Sequence, residues 1–286
     1  MTGLRDLLEL VRAPAALSVP GDVVAGAAGG QALGGRTAVL ACSSVCLYWA
    51  GMAANDWADR RLDAVERPER PIPSGRVPPG LALAVAAGLT AAGVTVAGLA
   101  GGRRALAVAA PLAAAVWAYD LLAKNTPAGP ASMALCRGLD VLLGAAPGRS
   151  PAGALPAAFT IATHTYLLTA LSRGEVSGTA RSRPAATLAG TLALAAATAR
   201  RPPNPWDAAA PATLAAWYAA QFGASQARAV ADPSAVRVRE AVTAGIVSLP
   251  ALQGALAARA GATRAGIAIA AAVPLARRLV RKLSPT

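Results

Sequence analysis

Residues 55–76 read NDWADRRLDAVERPERPIPSGR. Asp56, Asp59, Asp63, Glu66 and Glu69, five of the chain's 14 acidic residues, fall within this stretch. On a helix turning about 100° per residue, Asn55, Asp59 and Asp63 advance along one face at i, i+4 and i+8, and Asp56 lies one turn before Asp59. Like charges at that spacing repel by a few tenths of a kcal/mol per pair in water, and by more near hydrocarbon. A cation is therefore expected among them. Glu is the better helix former, whereas short carboxylates and an amide are the oxygen ligands that a hard cation prefers. Magnesium is commonly shared between a carboxylate or two and a substrate phosphate, which makes a diphosphate the natural partner. The plainer alternative is a solvated helix end whose acids pair with Arg60, Arg61, Arg67 and Arg70.

What surrounds this stretch is apolar. Of 286 residues 55% are hydrophobic and only 14% charged, against roughly a quarter charged in an ordinary soluble domain. Between the charged loops run apolar segments of roughly 16 to 22 residues, the length that crosses about 30 Å of hydrocarbon at 1.5 Å per residue. Spans are expected near 17–35, 37–57, 80–100, 103–121, 131–147, 152–171, 184–199, 209–227, 237–257 and 262–280. Several are short or Gly-rich, so the expected count is nine or ten. The fold class is all-α, a polytopic transmembrane bundle, and the domain organisation is one membrane domain over 1–286. Residues 1–14 carry acids as well as Arg and lead into the first apolar segment without a small-residue cleavage site, as an interfacial helix does and a signal peptide does not.

Composition excludes other classes. Disorder needs low hydrophobicity and many like charges. The Gly residues have no period and there are three Cys, which excludes collagen-like and disulfide-framework chains. The formal charge of +13 is broken up by apolar segments and lacks the basic stripe with interleaved aromatics that nucleic acid requires. With the N-terminus inside, the ten-span reading puts 19 of the 27 basic residues on the cytoplasmic side and 8 outside, as the positive-inside rule favours. The excess then serves topology and contact with anionic headgroups. Multi-pass insertion in the cell membrane, with the 55–76 segment on the cytoplasmic side, is the expected localisation.

The run N-D-x-x-D-x-x-x-D closing a second span, followed by R-P-x-x-S-G (Arg70, Pro71, Ser74, Gly75), resembles the first aspartate-rich motif of the UbiA superfamily of intramembrane prenyltransferases. Tyr119-Asp120, Lys124 and Arg137-Gly138-Leu139 before Gly144 are similar to that family's inter-span loop and following helix. The resemblance implies a bundle of typically nine transmembrane helices around a central cavity with a lateral opening to lipid. It implies an allylic polyprenyl diphosphate held by Mg²⁺ on two aspartate-rich motifs, and a hydrophobic or aromatic acceptor. Asn55, Asp56, Asp59 and Asp63 take the place of the first metal site, with the Asp residues catalytic. Arg67, Arg70 and Lys124 take the place of diphosphate contacts. Where the family carries a second D-x-x-x-D motif after the sixth span, this chain has Ser172-Arg173-Gly174-Glu175-Val176. Glu175 then supplies one metal-directed carboxylate, and Arg173 replaces part of the cation's charge. A terpene cyclase and a non-catalytic lipid-binding or ion-coupled transport protein are the alternatives.

Polar groups inside spans are functional candidates by default. His164, the one histidine, shares a face with Leu168, Leu171 and Glu175, and is either a cavity-facing substrate contact or a neutral His bonded to a neighbouring helix. Arg137 and Asp140, at i and i+3, either pair with each other or face substrate. Asp120 either ligates metal or satisfies Lys124, and Asp22 either lines a cavity or caps a helix. Tyr218, Gln221 and Ser225 form a stripe expected to join helices. Cys42, Cys46 and Cys136 are expected to be buried small hydrophobes. Trp49, Trp57, Trp117 and Tyr119 suit an interfacial belt or the stabilisation of an allylic carbocation.

Overall fold

A computed structural model of the protein describes residues 2–13, 18–199 and 209–274. The described residues contain ten α-helices and no strand. In chain order they are α1 (Leu4–Leu10), α2 (Pro20–Gly29), α3 (Gly35–Glu66), α4 (Pro79–Ala118), α5 (Gly129–Ala145), α6 (Leu155–Ser172), α7 (Ser182–Thr198), α8 (Ala209–Ala231), α9 (Ala235–Arg259) and α10 (Thr263–Ala270). Four of them open with Pro within the first two positions, Pro20, Pro79, Pro130 and Pro156, where the missing N–H has no helical partner to lose.

Each expected span overlaps a helix among the described residues, 17–35 and 262–280 only in part, and the expected pair 80–100 and 103–121 forms one long element. It is not one rod. Gly102 sits at φ 62°, ψ −151°, a conformation open to glycine alone. In a straight helix Thr90 and Trp117 would stand about 40 Å apart, yet the Trp117 indole N–H donates to the Thr90 hydroxyl at 3.0 Å. The chain therefore reverses at Gly102 into two antiparallel arms. By length and composition, four helices among the described residues can cross a membrane, namely α3, α4 with its extension to Ala123, the 151–172 segment and α9. The first span is shorter than expected, ending at Gly29. The end of the segment expected over 262–280, the basic residues Arg277, Arg278, Arg281 and Lys282, and Arg200 and Arg201 lie outside the described residues.

The apolar faces sort the helices. The most apolar window of α9 is 83% buried and that of α4 only 22%, so α9 runs through the interior while α4 faces outward, toward lipid in a membrane protein. α9 packs Val247, Leu249 and Leu252 among Ala215, Tyr218 and Phe222 of α8. α2 lies directly on α5: a Cβ at Gly26 would collide with the Val141 carbonyl, and one at Gly144 with the Val23 carbonyl. Cys42 is exposed on the outer surface and Cys46 half-buried, against expectation, and only Cys136 is buried. Cys42 shares the outward face of α3 with exposed Ala38 and Val39.

The site is positioned by α3. Its 32 residues span about 48 Å, more than the roughly 30 Å of hydrocarbon, so its acidic C-terminal end extends past the apolar layer.

Candidate active site

The α3 acids divide into two groups. Taking Asn55 as 0°, Asp59 lies near 40°, Asp63 near 80° and Asp56 near 100°. The neighbours follow that division. Lys124 Nζ stands 2.7 Å from Asp59 Oδ1 and donates to Asn55 Oδ1 at 3.0 Å. On the other flank Arg70 Nη1 bridges Asp63 Oδ2 at 2.7 Å and Asp56 Oδ1 at 3.3 Å, and Arg12 Nη2 meets Asp56 Oδ1 at 2.7 Å. Arg67, half-exposed, reaches Asp63 at 3.6 Å. The cations expected among the acids are thus present as side chains. Arg60 is not among them, since its guanidinium lies 4.6 Å over the Trp57 ring.

Each cation is delivered by a local device. The 67–77 segment folds back on itself: Val77 N–H donates to Pro71 O, Ser74 N–H to Arg70 O and Gly75 N–H to Ile72 O, with Gly75 at φ 74°. Arg70 points inward from this turn and Arg76 outward. Lys124 follows a π-helical turn, Tyr119–Ala123, closed by Lys124 N–H donating to Tyr119 O at 2.9 Å. The wider turn admits one extra residue before Lys124 and leaves Asp120 buried, its Oδ2 facing Gly51. Such turns occur often at functional sites.

Arg12 is the residue that sequence reading missed as a site member. Its partner lies 44 residues away, and no local pattern signals that meeting. α1 is held in place by Arg76, which meets Asp6 Oδ1 at 2.9 Å and Glu9 at 2.7 and 2.8 Å. Thr2 adds a hydrogen bond to Arg76 O at 2.9 Å. The Gly3 N–H and then Arg76 hold the Asp6 carboxyl below its ordinary range, and Arg76 does the same for Glu9.

The five-residue metal set that the resemblance implies is not gathered in one place. Among the described residues no group of three or more His, Cys, Asp or Glu side chains is close enough to hold a metal. Glu175 lies on the α6–α7 loop, where Arg239 of α9 donates to its backbone carbonyl at 2.7 Å and faces its side chain. Burial raises the Glu175 carboxyl. Arg173 turns to the loop after the π turn, donating to Thr126 O, on the same loop as Lys124.

One turn of α3 before Asn55, and beside the Tyr119–Ala123 turn that carries Lys124, an apolar cavity of about 70 Å³ runs between α3, the second arm of α4 and α5. Leu47, Met52, Leu112 and Val116 form its walls, with Asp120 among its lining and Ser44, Arg137 and Asp140 at the deep end. Arg137 and Asp140 do not pair with each other. Arg137 Nε meets Asp22 Oδ2 at 2.8 Å, and Asp140 Oδ1 accepts from the Ser44 hydroxyl at 2.5 Å. The four-residue geometry of an i, i+3 pair lost to partners on α2 and α3 that sequence spacing does not reveal. His164 is outside the cavity lining: fully buried, its Nδ1 shares a 2.8 Å hydrogen bond with the Tyr218 hydroxyl of α8, edge-on to Tyr218 and Phe222.

An all-helical bundle of strongly apolar helices, four of them among the described residues long enough to cross a bilayer, defines an integral membrane protein. Residues 15–173 match the UbiA prenyltransferase family, and the chain belongs to that family. The match ends at Arg173, where the expected second acidic motif would follow. The chain is 40% identical over 158 residues to the digeranylgeranylglyceryl phosphate synthase of Methanopyrus kandleri, covering 53% of this chain and 56% of that one. It is 40% identical over 115 residues to the bacteriochlorophyll synthase 33 kDa chain of Cereibacter sphaeroides, covering 38% and 36%. The chain thus spans about half or less of the length of these curated relatives. A solved structure described under digeranylgeranylglyceryl phosphate synthase shares the fold, with a TM-score of 0.68, 17% identity, and coverage of 92% of this chain and 100% of that one.

Proposed function

We propose that this chain is a Mg²⁺-dependent intramembrane prenyltransferase that moves a polyprenyl group from an allylic diphosphate to a hydrophobic or aromatic acceptor. The observation that carries the reading is the Asn55–Asp59–Lys124 cluster standing beside an apolar cavity. Nine or ten membrane spans, with the 55–76 segment cytoplasmic, complete it.

The donor set fits magnesium in its chemistry. Asn55 and Asp59 offer hard oxygen atoms on one stripe of α3, with Asp56 and Asp63 on the next. Mg²⁺ commonly takes one or two carboxylates and completes its shell with phosphate oxygens and water, so a three-acid cluster is unnecessary. When bound, it supplies neutralisation of charge on the diphosphate.

The charges of the chain are arranged for such an exchange. Asp56, Asp59, Asp63 and Asp120 face Arg12, Arg67, Arg70 and Lys124, four against four, and with Asn55 and Asp59 holding Mg²⁺ the cations would be free to turn to the diphosphate. Lys124, Arg70 and Arg12 then pass from carboxylate to phosphate oxygens. They stabilise the charge that gathers on the leaving group as the allylic C–O bond breaks. Leu47, Met52, Leu112 and Val116 keep water from the cation left behind.

The test is to incubate the purified protein in detergent with Mg²⁺ and allylic diphosphates of several chain lengths, and to follow diphosphate release. Metal-dependent release that disappears in Asp59→Ala, with the variant folded, is the expected result. No release with any chain length overturns the reading.

A further inference from the structure

The deep end of the cavity carries charges that the diphosphate chemistry at its mouth does not use. Ser44 precedes Gly51 by seven residues and so lies about 10 Å deeper along α3. There its hydroxyl donates to Asp140 Oδ1 at 2.5 Å. Asp140 is 5% exposed and lines the cavity, and its second oxygen, Oδ2, is buried with no hydrogen-bond partner. Burying an unsatisfied acceptor is costly, and a carboxylate oxygen of this kind can be satisfied only by a donor.

The neighbouring guanidinium does not supply one. Arg137 Nε is taken by Asp22 Oδ2 at 2.8 Å, and Arg137 Nη2 reaches the Ser18 carbonyl at 3.4 Å. Gln253 Nε2 serves Asp22 Oδ1 at 2.7 Å and the Ser18 carbonyl at 2.8 Å. The floor therefore sets two carboxylates against one guanidinium. An anionic group arriving there finds the one guanidinium already engaged by Asp22, in a medium of low dielectric where an unpaired charge is costly. A hydroxyl or amine that reaches Oδ2 meets an acceptor without a hydrogen-bond partner.

We infer that Asp140, assisted by Ser44, reads the far end of the acceptor, which is a slim apolar molecule bearing a hydroxyl or amine, and no carboxylate, at the end remote from the bond being made. Its reacting end then lies about 10 Å higher, at the level of Gly51 and Asp120. The word acceptor rests on the prenyltransferase reading; the preference of the floor for donors does not.

The experiment measures binding to the full chain in nanodiscs by calorimetry, with three probes that share one body: 4-propylbenzyl alcohol, 4-propylbenzylamine and 4-propylbenzoate. No metal or diphosphate is present in this arm. The alcohol and amine are expected to bind at least about tenfold more tightly than the carboxylate, as a hydrogen bond to a charged group allows. In Asp140→Asn that preference is expected to fall below about threefold, and Ser44→Ala, a smaller perturbation, is expected to reduce it. Equal or tighter binding of the carboxylate, binding of none of the probes, or a preference unchanged in both variants overturns the inference. A second arm measures Mg²⁺-dependent binding of geranylgeranyl diphosphate, expected to be unchanged in both variants. A chain that binds the diphosphate without discriminating among probes refutes the floor alone. One that discriminates among probes but binds no allylic diphosphate supports the donor preference and refutes the prenyltransferase reading.

Discussion

Arg76 grips Glu9 with both terminal nitrogens, at 2.7 and 2.8 Å, across 67 residues of sequence. That fork fastens α1 to the same turn that aims Arg70 at Asp56 and Asp63, so one short loop governs both guanidinium groups that meet Asp56. The depressed Asp6 and Glu9 carboxyls stabilise the attachment. A depressed carboxyl contributes stability that is fully present above its unfolded value and is lost as pH falls through its folded value. The attachment is therefore complete at neutral pH and weakens below the ordinary values of 4.5 for Glu9 and 3.8 for Asp6. The protection factors of residues 2–13, which are exchange rates referred to the intrinsic rate at each pH, are expected to be high at pH 7 and to fall toward pH 3. In Arg76→Ala they are expected to be low at both; protection that persists in that variant contradicts the fork's role.

Lys124 is the cation whose position ties the cavity to the acids. Removing one preorganised charge that acts on a leaving group typically lowers turnover by about 10²–10³. Lys124→Met is expected to lose activity by that order with its melting temperature little changed. A loss below tenfold in steady-state assays would place the ammonium outside the chemistry.

Gly102 sets the reversal of α4. Its φ of 62° and ψ of −151° strain any other residue by about 1–3 kcal/mol. Gly102→Ala is expected to lower the thermal midpoint in detergent, whereas Gly80→Ala, at a position where an added Cβ meets nothing, is expected to leave it near the wild-type value.

His164 is expected to matter for stability and not for turnover. His164→Phe keeps the ring and leaves the Tyr218 hydroxyl without its 2.8 Å partner, at a cost of about 1–3 kcal/mol. Specific activity of the folded fraction is expected to stay within about threefold of wild type. A hundredfold loss of activity at unchanged stability would return His164 to the reacting centre.

How much of this was legible in the sequence depends on the range of the contact. The helices could be read because apolar runs between charged loops mark them, and even the break between 100 and 103 showed itself as Gly101, Gly102 and two Arg. The acids of α3 were legible as a group because helical spacing is local. Their division into two stripes follows from the same 100° step, but it becomes evident only once Lys124 stands on one flank and Arg70 on the other. Arg12 with Asp56, Arg137 with Asp22 and Asp140 with Ser44 were not legible. Each joins helices whose relative rotation is fixed by small-residue packing such as Gly26 on Val141, and a single sequence carries no direct record of that rotation. Spacing at i, i+3 suggested that Arg137 and Asp140 face each other; tertiary partners at 2.8 and 2.5 Å outcompeted it.

The length of α3 has a kinetic meaning. A helix of about 48 Å outreaches a hydrocarbon layer of about 30 Å, and on the reading proposed above Asp59 and its neighbours stand at the depth where lipid headgroups lie. An amphiphile with a long apolar tail and a diphosphate head already travels at that depth. On that reading it arrives by sliding sideways within one leaflet, head and tail each staying in its own layer. The search is then two-dimensional, and the encounter rate is set by the surface density of the donor in the bilayer instead of its concentration in water.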